Sequence, residues 1–405
     1  MKCKVAVIGA GISGLSCAFK LAKNGISVKI FETQALAGGR ASRAVRVFPQ
    51  NSYYIQSLLN ELNFKGSERT ELSLFGSYKD NKLMSFTQFA PFILEEKDLS
   101  FFKRLQRKLI AKILKVDLNQ LRNLQDYMKQ IEFDFETDSE EAKRLHSMTM
   151  KEWSEDYSTL REILFDPMLQ FLFQTKNYEL SAKICVNHIK NFLSISKDGG
   201  FYLKGGPFEV TQELLQQLDD SKICEVSFLT HVNKIVGKSK KVLEYSTGGD
   251  TYKEDFDYVV LAIPLPSAAK LLNTEFDLEY STTKCYYVKG ELKYPWVVAA
   301  GPYYDKNFRC LYSISEDEHV IATIDKNKEL GDVSVLFKKE NYSIIEESEI
   351  ENAMPTVYPG QKLPNLDLGN NFFISGDFYE YPDIESAIAS AYKVSDMIIK
   401  KESQP

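Results

Sequence analysis

The hydrophobic pattern changes period several times along the chain, and each change marks an element. Val5, Ala6, Val7 and Ile8 form a continuous apolar run, as expected of a strand buried on both faces. Glycines follow, and then Leu15, Ala18, Leu21 and Ala22 recur at helical spacing until Gly25. A second strand with Val28 and Ile30 ends on Glu32. Residues 47–63 predict a loop and an amphipathic helix, and 65–90 carry short alternating patterns (Leu72, Leu74, Phe75; Leu83, Met84, Phe86). From 99 to 196 the period is helical. Three start signals punctuate that stretch: Thr149-x-x-Glu152 as a capping box, Asp166-Pro167 as an N-cap with proline at the first helical position, and Ser181 ahead of Ile184, Cys185, His188, Ile189 and Phe192. Gly199-Gly200 and Gly205-Gly206-Pro207 close it. Strands are predicted at 231–235, 242–246 and 256–264, and 276–350 leans to β. The last pattern, 372–399, is a short strand, Gly376-Asp377, a polar-aromatic loop and a helix.

The chemistry concentrates in the first forty residues. Strand, Gly9-x-Gly11-x-x-Gly14, helix, second strand and acid stand in register as a dinucleotide-binding unit. Gly9 permits the tight turn, Gly11 lets the backbone approach a pyrophosphate, and Gly14 lets helix pack on strand. The helix start at Ile12 and Ser13 presents unpaired N–H groups and a positive dipole end to phosphates. Glu32, 18 residues past Gly14, suits a ribose diol. Gly38-Gly39-Arg40 supplies a second glycine turn and a guanidinium that matches phosphate geometry. The bland alternatives are a glycine turn in an unrelated α/β unit and, for Gly38-Gly39, a surface turn.

Glu32 followed by Gly-Gly-Arg resembles the FAD-binding start of the flavin amine oxidase, protoporphyrinogen oxidase and phytoene desaturase superfamily. The resemblance covers about 160 residues, in three stretches. It implies that Gly376-Asp377 meets the ribityl or pyrophosphate region of FAD, and that the helix entered through Ile384-Glu385-Ser386-Ala387 aims its N-terminus at the flavin pyrimidine ring. Ser386 stands where the family usually has glycine. The 231–264 region resembles the superfamily's hairpin, in which the residue matching Val232 binds adenine through its backbone. The resemblance implies hydride transfer from a substrate carbon to flavin N5. It implies a non-covalent FAD, since no cysteine lies beyond Cys310. Arg46-Val47-Phe48-Pro49 resembles desaturase-like members, which makes Arg46 and Phe48 candidates to face the substrate; Tyr379 and Tyr381 could cage an amine or stack on a conjugated chain. Lys289 and Lys293 match no motif and read as surface lysines.

Composition narrows the field. At 405 residues the chain exceeds one core and should form two lobes. The expected fold class is α/β: a doubly wound, Rossmann-like FAD-binding domain with an interleaved α+β substrate domain. The expected boundaries are 1–65, 198–275 and 355–405 for the FAD domain, and 66–197 and 276–354 for the substrate lobe. A net charge of −6 argues against a general nucleic-acid binder. Six cysteines without CxxC spacing and four scattered histidines suggest neither metal site nor disulfide framework. The first strand starts within five residues of Met1 and no 18-residue apolar run exists, so a cytoplasmic protein is expected. Residues 101–115, with six basic residues and no acid, are a candidate peripheral membrane contact or else a helix with a solvated basic face.

Expected partners are a small apolar or amine substrate and oxygen or quinone as electron acceptor. A desaturase-like reaction on a C–C bond leads, with amine oxidation to an imine as the alternative. A nicotinamide-dependent dehydrogenase and a non-catalytic FAD-binding protein are two further readings. The first leaves Gly38-Gly39-Arg40 and Gly376-Asp377 without roles.

Overall fold

The structure is a computed structural model; it describes residues 3–43, 47–70, 75–79, 82–85, 108, 111–112, 115–131, 139–166, 169, 178–237, 240–293, 297–303, 307–323 and 325–403. The N-terminal apolar run forms β1 (Lys4–Ile8), inside a six-stranded sheet. Its parallel neighbours are β2 (Ser27–Phe31) and β12 (Tyr258–Leu261). Beyond β2 lies β8 (Cys224–Ser227), and beyond β12 come β19 (Phe372–Ile374) and the antiparallel β18 (Asp367–Gly369). Val5, Ala6 and Val7 are fully buried, which is why this strand reads as an unbroken apolar run. The sheet thus draws strands from both ends and the middle of the chain.

Helix α1 (Ile12–Lys23) packs against α7 (Pro207–Asp220) and α9 (Ile384–Glu402). Gly206, at φ 77, turns the chain into α7, with Pro207 opening the helix. The Lys29–Phe31 side of β2 is covered by the antiparallel meander β9 (His231–Val236), β10 (Lys241–Thr247) and β11 (Asp250–Phe256): Phe31 meets Tyr245 at 4.9 Å and Phe256 at 5.8 Å. Sequence spacing suggests one strand over 256–264, but the chain changes sheet at Asp257. That residue's backbone N–H donates to Lys4 O and its carboxylate accepts from Lys4 N, both at 2.9 Å, so β11 ends and β12 begins there.

A seven-stranded sheet forms the second layer, in the order β17 (Ser343–Thr356), β13 (Glu279–Lys289), β16 (Glu318–Thr323), β15 (Phe308–Ser313), β14 (Val297–Tyr303), β5 (Phe75–Lys79), β6 (Lys82–Ser85). One face, with Cys285, Cys310, Val320 and Ala322, joins the large core shared with the six-stranded sheet. The other, with Tyr286, Val288, Leu311 and Ile321, forms a small separate core under Leu336 and Phe337. A further short sheet of β3 (Val47–Pro49), β7 (Gly200–Leu203) and β4 (Ser67–Thr70) contributes Val47, Phe48, Phe201 and Leu203 to the same large core. Helix α2 (Tyr53–Leu62) packs against α7 and α9, α3 (Leu118–Gln130) against the turn over Ser154–Leu160, and α4 (Glu140–His146) and α5 (Met150–Trp153) against α6 (Ala182–Asp198), which also meets β3, while α8 (Leu265–Leu272) follows β12. The Thr149/Glu152 capping box is present. Asp166 is not an N-cap: its backbone is helical, continuing from a π-turn over Arg161–Phe165, and its carboxylate accepts from the Tyr178 hydroxyl.

Candidate active site

Two glycine turns meet at the C-terminal end of β1. Gly9, at φ +105, sits so tightly that a Cβ would lie 2.6 Å from Ala262 O, and a Cβ on Gly14 would lie 2.0 Å from Gly9 O. Gly11 differs: nothing stands within 4 Å of the position its Cβ would take. The second turn closes on it. Gly38 N–H donates to Ala10 O at 2.8 Å, and a Cβ on Gly39 (φ +51) would lie 3.6 Å from Gly11 Cα. Phe208 and Thr211 of α7 wedge beneath Gly38. Helix α1 starts at Ile12 with no side-chain cap and no acid in its first turn, so its N–H groups and dipole face the open space. An anion as close-fitting as a pyrophosphate is what such a cradle accommodates.

Glu32 lies at the end of β2, buried. Its Oε2 accepts from Ala10 N (2.7 Å) and its Oε1 from Gln34 N (2.8 Å), which fixes the carboxylate beside the glycine loop. Thr230 N–H donates to Glu32 O (2.8 Å), so the start of β9, with buried Val232, is stapled to the same edge. Glu32 and Val232 are 200 residues apart in the chain, yet they belong to one corner.

The C-terminal segment arrives from the other side. Arg40 forms a bidentate pair with Asp377 (Nη1–Oδ2 2.7 Å, Nη2–Oδ1 2.9 Å) and donates also to the carbonyls of Asn352 (3.2 Å) and Ala353 (3.0 Å) in β17. Burial pulls the Arg40 pKa down, but Asp377 outweighs it and the guanidinium is held above its ordinary value. Tyr280 adds its ring 5.9 Å from Arg40, and burial first, then Asp377, raises the phenol. Behind Gly376 a line of buried hydroxyls crosses the helix–sheet junction: Ser13 Oγ to Ser375 Oγ (2.5 Å), and Ser375 Oγ to Ser390 Oγ (3.1 Å). Ser390 Oγ also accepts from Gly376 N (3.0 Å). Ser375, Ser390, Tyr280 and the β17 carbonyls escape sequence reading, because small hydroxyl residues and backbone oxygens outside the glycine motif carry no signal of their own.

Helix α9 is capped by Asp383, whose carboxylate accepts from Ser386 N (2.7 Å). Ile384 is its first residue. The Glu385 carboxylate turns to the N-terminus of α2, accepting from Tyr54 N (2.5 Å) and Ile55 N (2.9 Å). Its side chain is thus a helix tie, and only its backbone is left for a cofactor. Burial raises both Asp383 and Glu385 to about 7. Ser386, in the glycine position of the resemblance, folds its hydroxyl back to accept from Tyr381 N (3.1 Å), away from the helix entrance.

Of the candidates for the reacting face, Arg46 lies outside the described residues. Phe48 is buried and stacks on Phe201 at 5.5 Å across the β3–β7 pair. Both tyrosines carry cations. Lys393 donates to Tyr379 Oη (2.7 Å) and stands 5.1 Å from its ring, and Lys183, paired with Glu380 (3.2 Å), stands 5.7 Å from the ring of Tyr381. The ring of Tyr381 also meets His188 edge-on at 6.4 Å. Of residues 101–115 only four are described, and among the described residues no helix is long and apolar enough to cross a membrane.

A largely parallel sheet with a glycine cradle and an acid at the end of β2, closed by an arginine–aspartate clasp, defines the class of dinucleotide-binding proteins. A family model described as flavin containing amine oxidoreductase matches residues 12–308, and the chain belongs to that family. It is an FAD-dependent oxidoreductase. Among curated proteins, a mitochondrial protoporphyrinogen oxidase of Nicotiana tabacum is 54% identical over 37 residues, which is 9% of this chain and 7% of that one. Among solved structures, a triple mutant of putrescine oxidase redesigned at its cofactor binding superposes with a TM-score of 0.69 at 15% identity, covering 99% of both chains. An oxidoreductase from Methanosarcina mazei gives 0.69 at 16%, covering 97% of this chain and 100% of its own. Cyclohexylamine oxidase from Brevibacterium oxydans gives 0.68 at 14%, covering 100% of both. These likenesses establish the fold.

Proposed function

We propose that this enzyme dehydrogenates a C–C unit of an apolar substrate, a desaturase-like reaction. Residues 1–65, 198–275 and 355–405 would hold FAD non-covalently, and 66–197 with 276–354 would enclose the substrate. Bound flavin supplies a two-electron acceptor at N5. The open cradle over Gly11 and Gly39 supports placing the pyrophosphate there, with the α1 N–H groups and Glu32 holding phosphate and adenosine ribose. Arg40 and Asp377, already clasped, would meet the cofactor as one rigid unit. The α9 N-terminus would stabilise anionic charge on the reduced ring.

The observation that carries the desaturase preference is the state of the aromatic loop. An amine cage needs electron-rich rings free to receive an ammonium. Here Lys393 and Lys183 already stand over Tyr379 and Tyr381, and a further cation beside them is repelled. The family match itself favours the second reading, oxidation of an amine to an imine. Anaerobic mixing of the holoenzyme with amines and with unsaturated or isoprenoid-like compounds tests the choice. Bleaching of the flavin by the hydrocarbon set, followed by re-oxidation with oxygen or quinone, is expected. Reduction by amines alone would defeat the proposal, and reduction by neither set would favour a non-catalytic flavoprotein.

A further inference from the structure

Arg309 is buried to 3% exposure in β15. Among the described residues its guanidinium donates from Nη1 to the neutral Thr283 Oγ1 (3.2 Å), and its Nε–H meets no acceptor. Among the described residues no carboxylate lies within ion-pair distance. A guanidinium brings five N–H groups and a permanent charge, and burying it unpaired is costly. Such a group invites a ligand as its explanation.

Its position says which kind. Phe308 pairs with Thr323 and Cys310 with Ala322, so Arg309 is the extra residue of a β-bulge. The bulge turns its side chain to Thr283, on the sheet face that carries Cys285 and Cys310 into the core shared with the six-stranded sheet. Thr283 is three residues along β13 from Tyr280, whose ring lies against Arg40. That spacing corresponds to about 10 Å along a strand. Through Thr283, β13 thus links Arg309 to the ring beside the Arg40–Asp377 clasp.

We propose that Arg309 binds a carboxylate at the end of the substrate remote from the oxidised carbon, so that the substrate is an amphipathic acid. Planar bidentate pairing suits carboxylate to guanidinium, and the buried setting strengthens the pair. The proposal rests on the C–C dehydrogenation reading only in taking the anchored molecule to be the substrate.

The test uses the holoenzyme and three eight-carbon probes: octanoate, octanamide and octylamine. Binding is followed by calorimetry and by the visible spectrum of the flavin. Octanoate should bind at least tenfold more tightly than octanamide, and octylamine weakest. Arg309→Gln should lose at least tenfold in octanoate affinity while octanamide is unaffected. Equal binding of octanoate and octanamide to the wild type, or unchanged octanoate affinity in Arg309→Gln, would overturn the anchor. If Arg309→Gln does not fold with FAD, Arg309→Lys decides: severalfold weakening is expected because an ammonium cannot pair bidentately, and full affinity counts against the proposal. Flavin reduction by amines alone, with octanoate binding still dependent on Arg309, would sink the desaturase reading and leave the anchor standing.

Discussion

At the scale of single residues, three glycines in one motif do different work. Gly14 cannot take a side chain without driving it into Gly9 O, whereas a side chain on Gly11 enters empty space. Gly11→Val should therefore fold with nearly unchanged stability and lose FAD, since the space it fills is the one proposed for the pyrophosphate. Gly14→Ala should lower stability by about 1–3 kcal/mol, the usual cost of overpacking. Flavin absorbance per protein and urea midpoints separate the two: a Gly11→Val protein that keeps its FAD would contradict the cradle's placement. Glu32→Ala should weaken FAD binding more gently. It removes the acceptor of Ala10 N as well as the ribose partner, but leaves the cradle's shape.

At the scale of elements, helix α9 is held by carboxylates whose state depends on pH. Asp383 caps the helix and Glu385 ties it to α2, and burial raises both to about 7. In the unfolded chain the same groups ionise near pH ~4. Between these values the native protein holds more protons than the unfolded one. The stability linked to these protons is complete below pH ~4 and is lost as pH rises through about 7. Each group contributes a slope of at most about 1.4 kcal/mol per pH unit. Urea unfolding should accordingly show a lower midpoint at pH 8 than at pH 5. Asp383→Asn keeps a good N-cap and should flatten part of that slope. A slope unchanged in this variant would mean that Asp383 is ionised in the native state throughout.

At the scale of the whole molecule, the clasp between Arg40 and Asp377 joins residues 337 positions apart and reaches into β17 of the second layer. A charge-assisted bidentate pair of this kind is worth about 1.5–3 kcal/mol when partly buried. A double-mutant cycle with Arg40→Ala and Asp377→Ala should give a coupling energy of about that size in urea unfolding. Purely additive losses would show that the two residues act separately. Arg40→Ala should also shed FAD more readily, because the second glycine turn loses its anchor to the C-terminal segment.

What the sequence determined by itself is the part of the fold in which local chemistry has a single use. Buried parallel strands demand continuous apolar runs, a strand-to-helix turn packed against its neighbours demands glycine at fixed offsets, and helix ends demand caps; hence β1, the turn at Gly9 and Gly14, the Thr149–Glu152 box and α9 were all legible. The change of sheet at Asp257 was hidden, because a strand pattern continues across it and only pairing partners reveal the break. Asp166 has the composition of an N-cap, but a tyrosine twelve residues on claims its carboxylate. The pairing of Arg40 with Asp377, the diversion of Glu385 to α2, the lysines over Tyr379 and Tyr381 and the burial of Arg309 beside Thr283 were decided by tertiary structure alone. A side chain's partners depend on which surfaces the fold brings within a few ångströms, and long-range proximity leaves no periodic trace in the order of residues.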